Sequence, residues 1–85
     1  MKYDISFLPI AKKELSKIPI REYNRIKEVI SKFTIEPIPN NCLKLSGRNA
    51  WRIRVGDYRV IYEIDDKNHE VIVVHIGHRK FIYKK

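Results

Sequence analysis

Apolar and polar residues alternate at residues 2–8, where Tyr3, Ile5 and Phe7 interleave with Lys2, Asp4 and Ser6. That period of two marks a half-buried strand. Pro9 suits the first turn of a helix, and Ala11, Leu15 and Ile18 then recur at helical spacing while Lys12, Lys13, Glu14 and Lys17 take the outer side. Pro19 ends that helix. A second helix is predicted from about 21 to 34, with Tyr23, Ile26, Ile30 and Phe33 on one stripe and Arg21, Arg25, Glu28 and Lys32 mostly outside it. The two helices form a hairpin whose apolar stripes pack on a sheet. Pro37, Pro39 and the pair Asn40-Asn41 mark residues 36–41 as a connecting loop, and Gly47 supplies a turn before the next strand.

Alternation returns at Trp51-Arg52-Ile53-Arg54-Val55, breaks at Gly56-Asp57, and resumes at Tyr58-Arg59-Val60-Ile61-Tyr62. This is the pattern of a β-hairpin with a two-residue turn. Its register pairs Val55 with Tyr58, Arg54 with Arg59, Ile53 with Val60, Arg52 with Ile61 and Trp51 with Tyr62. One face is then apolar, and the other gathers Arg52, Arg54 and Arg59 with no acid directly opposite. At about 5.5 Å and an effective dielectric of about 20, the Arg54/Arg59 repulsion is roughly 3 kcal/mol, falling below about 1 kcal/mol if both heads stay in water. An anionic partner relieves it.

After the hairpin, residues 65–68 form a polar turn, and 71–76 make a continuous apolar run expected of a strand near the sheet centre, covered on both faces. A simple antiparallel return pairs Tyr62 with Ile72 and Val60 with Val74, which sets His75 beside Arg59. The chain closes on Gly77-His78-Arg79-Lys80 and a basic, aromatic tail.

Eighty-five residues make one domain, 1–85, with a single small core. Charge sharpens the picture: Lys plus Arg number 18 against 10 Asp plus Glu, a formal charge of +8 that suits nucleic acid or an acidic protein better than a membrane surface. Five of the seven arginines fall between Arg48 and Arg79, which makes the second half the binding half, since the guanidinium fork matches phosphate. Lys44 and Arg48 flank the approach to the hairpin. Cys42 is the one cysteine, so no internal disulfide or cysteine-based zinc site is expected, and a reducing cytoplasm fits. No apolar run approaches a membrane span or a signal peptide.

No nucleophile elbow, glycine-rich phosphate loop or zinc-protease signature is present, and His75 and His78 make no convincing metal pair. What remains is a cluster of arginines with histidines and tyrosines nearby. Such a cluster can hold RNA through phosphate contacts and stacking on Tyr83. It can also stabilise the charge that develops when a ribose 2′-hydroxyl attacks the adjacent phosphate. That reaction needs no metal or other cofactor.

The runs Leu45-Ser46-Gly47, Trp51 to Tyr62, and Ile76-Gly77-His78-Arg79 with Tyr83 together resemble the RelE/ParE superfamily of toxins from type II toxin–antitoxin modules. The resemblance covers essentially the whole chain. It implies a small α+β fold: an N-terminal strand, a two-helix hairpin, then antiparallel strands in a small sheet backed by the helices, similar to microbial ribonucleases. It further implies a ribosome-dependent endoribonuclease that cuts mRNA in the ribosomal A site and leaves a 2′,3′-cyclic phosphate. On this resemblance Arg59 is the arginine that stabilises the transition-state phosphate, Arg79 serves charge stabilisation and leaving-group protonation, and Tyr83 stacks on a base. Lys44, Arg48, Arg52, Arg54 and His75 join the RNA-binding set. Arg52 and Arg54 stand where RelE-type members carry lysines, one of them implicated in activating the attacking hydroxyl. Arginine does not deprotonate near neutral pH, so the proton acceptor is sought in His75, His78 or the ribosome, with His78 preferred. The partners implied are the ribosome and mRNA, and a RelB-like antitoxin whose small acidic segment folds onto the basic surface. The alternatives are a ParE-like poison of DNA gyrase and an inactive homologue that binds only RNA or antitoxin.

Overall fold

A computed structural model describes residues 2–47 and 49–78. Strand β1 (Asp4–Phe7) leads into helix α1 (Pro9–Ser16) and helix α2 (Ile20–Ser31), the latter extended by a tighter turn over Lys32–Thr34. Strands β2 (Cys42–Lys44), β3 (Ala50–Val55), β4 (Tyr58–Asp65) and β5 (Glu70–His78) follow. Pro9 stands at the start of α1 and Pro19 at the cap of α2, where a missing N–H costs nothing. Neither helix has a side-chain cap, so packing holds them more than their ends do.

The five strands form one sheet in the order β1-β5-β4-β3-β2. All neighbours are antiparallel except β1 and β5, which run parallel with Ile5 beside Val71 and Phe7 beside Val73. The α+β architecture is the expected one. Ala11 and Leu15 of α1, Ile26 and Ile30 of α2, and Phe33 bury against Trp51, Ile53, Val55, Val60, Tyr62, Val71, Val73 and Ile76 from the sheet. Each of the larger side chains contributes about 1.5–3 kcal/mol by leaving water. Phe33 stacks on Tyr62 at 4.2 Å between centroids, and the Tyr62 hydroxyl donates to the Pro37 carbonyl at 2.8 Å. That bond anchors the loop behind α2. Burial, reinforced by Cys42, pushes the Tyr62 hydroxyl far above its ordinary pKa, so it stays a neutral donor.

Residues 42–44, beyond the expected loop, form an edge strand too short for alternation to reveal, pairing Cys42 with Ile53 and Lys44 with Trp51. Two expectations need correction. The turn after β4 falls on residues 66–69, with Asp65 already paired to Glu70 and its carboxylate accepting from the Asn68 backbone and side-chain amides. The second correction is the register of β5. Tyr62 pairs with Val73 and Ile61 with His75, so one extra residue, Val74, sits in β5 as a bulge. Val71, Val73 and Ile76 therefore face the core, Val60 lies opposite Ile76, and Gly77 rather than His75 lies opposite Arg59. The 71–76 run is buried on one face and half-buried on the other, which is why its polarity pattern could not report the bulge.

Candidate nucleic-acid interface

The β3–β4 hairpin turns at Gly56, whose φ of +62° is a conformation that side chains disfavour and that primed hairpin turns demand. The register is the expected one from Val55/Tyr58 to Trp51/Tyr62. Trp51, Ile53 and Val55 turn into the core, and the alternate positions send Arg52, Arg54 and Arg59 to the other side of the sheet. Arg54 lies directly across from Arg59, while Arg52 is flanked by Ile61 and by Leu43 of β2. With Asn41 and Leu43, the three arginines line a recess of about 490 Å³.

The three arginines differ in exposure. Arg54 is exposed and Arg52 half-buried, but Arg59 is only 6% exposed, the one charged residue in the buried set of the described residues. A guanidinium cannot shed its proton to escape burial, so Arg59 carries a permanent charge in a medium that screens it weakly. The arrangement offers a fixed, partly desolvated fork at the floor of a basic recess and two more solvated ones above it. Anionic oxygens fit such a site.

The histidines divide between two places. His75 shares its cross-strand row with Ile61 and Arg52, and its Nδ1 lies 2.9 Å from Glu14 Oε2 on α1. The other carboxylate oxygen of Glu14 accepts the Ile76 backbone N–H at 2.9 Å. His78 pairs with Tyr58, its ring edge-on at 5.5 Å, and shares a depression with Pro19, Glu22 and Arg25 on the α2 side. The preferred proton acceptor thus lies on the opposite face from the arginine recess, because strand parity sends it with Tyr58 rather than with Arg59. Lys44 also separates from the arginines: it pairs with Trp51 and holds its Nζ 5.7 Å from the indole centroid. Arg48, Arg79 and Tyr83 lie outside the described residues.

Glu14, Asn41 and Leu43 were absent from the sequence-based site. A signal for Glu14 did exist: it lies three residues after buried Ala11 and just before buried Leu15, on the flank of the α1 core stripe rather than its outer side. Among the described residues no group of three or more His, Cys, Asp or Glu side chains lies close enough to hold a metal ion. No helix among them is long and apolar enough to cross a membrane.

Residues 5–83 match the family described as the ParE toxin of the type II toxin–antitoxin system parDE. The chain is a RelE/ParE superfamily toxin. This toxin is 32% identical over 88 residues to Toxin RelE of Mycobacterium tuberculosis, across 96% of this chain and 87% of the relative. Its fold superposes on the archaeal RelE–RelB complex from Pyrococcus horikoshii with a TM-score of 0.81 and 28% identity, covering 95% of this chain and 99% of that one. The RelB–RelE complex from Methanococcus jannaschii gives 0.76 and 31%, with 91% and 93% covered. The toxin is thus RelE-like, and both of these solved relatives were captured with an antitoxin.

Proposed function

We propose that the toxin is a ribosome-dependent endoribonuclease that cleaves mRNA in the A site, with the arginine recess as its phosphate-binding centre. The observation that carries this reading is the placement of buried Arg59 directly opposite Arg54, beside Arg52, in one recess. Fixed donors in a weakly screened site favour the charge that develops on phosphorus more than they favour the ground-state diester. In this reading the 2′-hydroxyl attacks the adjacent phosphorus, the bond to the 5′-oxygen breaks, and a 2′,3′-cyclic phosphate and a 5′-hydroxyl result. Arg59 stabilises the transition state. Arg79 adds charge stabilisation and protonates the leaving oxygen, and Tyr83 stacks on a base. Arg48, Arg52 and Arg54 hold the backbone, with Lys44 contributing from the neighbouring edge. The chemistry calls for no metal, because guanidinium groups supply the positive charge. The site of action is the cytoplasm, where ribosomes are.

The same reading includes an antitoxin of RelB type. The basic recess attracts an acidic segment, and the groove lined by Val29, Phe33, Pro39 and Ile53 with exposed Ile35 suits the apolar side of such a segment.

Primer extension on a defined mRNA in a reconstituted translation mixture, with and without ribosomes, tests the proposal. Cuts that require both ribosomes and Arg59 are expected. Absence of cuts in every lane would overturn it. A second reading, gyrase poisoning, is favoured by the ParE description of the matching family. Loss of supercoiling with intact translation would establish that alternative.

A further inference from the structure

None of the described residues that line the arginine recess is a base, and the histidine first expected to accept the proton lies on the other face. We propose that His75 takes the proton of the attacking 2′-hydroxyl on Nε2, with Glu14 of α1 positioning its ring. This rests on the nuclease reading above. The placement comes from the bulge: without the extra residue at Val74, continuing the Tyr62/Val73 register would put His75 opposite Val60 in the core and Ile76 on the arginine side. With it, His75 lies opposite Ile61 and becomes the diagonal neighbour of Arg59, at a spacing of about 7–8 Å that a phosphate and its ribose can bridge. The side chain is 34% exposed, so the ring is not shut off from solvent.

The tautomer follows from the acceptor it meets. An ionised carboxylate only accepts hydrogen bonds, so the 2.9 Å contact to Glu14 Oε2 requires a proton on Nδ1. In the neutral ring Nε2 then carries the lone pair. Glu14 is itself fixed, because its other oxygen takes the Ile76 N–H on the stretch of β5 beyond the end of β1. Closing that strand edge explains one carboxylate oxygen and leaves the second to act on the imidazole. A carboxylate that orients a histidine in this way also stabilises the imidazolium formed when the proton arrives. The step balances: O2′ loses a proton to Nε2 and bonds to phosphorus, the departing O5′ gains a proton from water, either directly or through Arg79, which water recharges at once, and His75 returns its own to solvent.

Two variants and one spectrum test this. His75→Gln keeps a donor toward Glu14 but removes the base. Glu14→Gln keeps an oxygen for the Ile76 N–H but turns an amide N–H toward Nδ1, which forces the ring proton onto Nε2. Both are expected to lose about 10²- to 10⁴-fold in single-turnover cleavage on the ribosome, and Glu14→Gln, outside the RNA-binding set, should keep ribosome binding within about twofold. Long-range nitrogen–proton correlation spectra should show His75 with its proton on Nδ1 in the wild-type toxin and on Nε2 in Glu14→Gln. Wild-type-like cleavage by His75→Gln, alongside loss in Arg59→Ala, overturns this assignment and leaves the nuclease reading intact. A wild-type ring protonated on Nε2 overturns it without reference to activity. No cleavage by the wild type removes both.

Discussion

The two faces of the β3–β4 hairpin are made from alternate residues of the same strands, yet they answer to different forces. On the helix side Trp51, Ile53, Val55, Val60 and Tyr62 fit a closed core, where volume and shape decide what is tolerated. On the other side Arg52, Arg54 and Arg59 crowd like charges together, with Arg54 and Arg59 in direct register. That arrangement carries an electrostatic cost that the helix side does not. Strand parity thus divides the molecule: odd positions of β3 build the core, and even positions from Arg52 onward line the proposed site.

Substitutions sharpen that division in order of effect. Phe33→Ala opens a hole against Tyr62 and should cost about 3–5 kcal/mol by denaturant unfolding, enough to abolish toxicity through loss of the folded state. A near-neutral result would mean the helix side is not the stabilising one. Tyr62→Phe keeps the volume but leaves the Pro37 carbonyl without its donor, and should cost about 1–2 kcal/mol while growth arrest persists. Arg54→Ala belongs to the other class. Its stability should stay within about 1 kcal/mol of wild type, and the slope of log affinity for single-stranded RNA against log salt should flatten by about 0.7 for the one phosphate contact removed. An unchanged slope would take Arg54 out of the binding surface. Asp65→Ala should have the smallest effect on melting. The Asn68 hydrogen bonds hold the Asp65 carboxyl below its usual pKa, so the folded state gains from the charged form above the carboxylate range and loses that gain as pH falls through it. The difference from wild type should therefore shrink in acid.

Much of this division was legible in the residues themselves. The hairpin register was readable because a two-residue Gly-Asp turn leaves little freedom and the alternation on both sides is unbroken. Both helices were readable from proline boundaries and four-residue apolar spacing. The register of β5 was not, because four apolar residues in succession, Val71 to Val74, give no parity and a bulge leaves no trace in such a run. For the same reason His75 was expected opposite Arg59 and is found diagonal to it. Short β2 was hidden by its length. His78 was preferred as the proton acceptor, but successive residues of a strand face opposite sides, and its pairing with Tyr58 puts it on the face away from Arg59. Glu14 was hidden among lysines on α1, since its partner lies 61 residues away and only the packing of α1 on β5 brings them together.

The central claim, that the arginine face serves function and not folding, is tested most directly by Arg59→Ala. Its melting temperature and its ability to arrest growth should be measured on the same preparation and the same expression plasmid. The account expects a folded protein melting within a few degrees of wild type, with arrest abolished. A variant that still arrests growth, or one that is harmless only because it no longer folds, would contradict it.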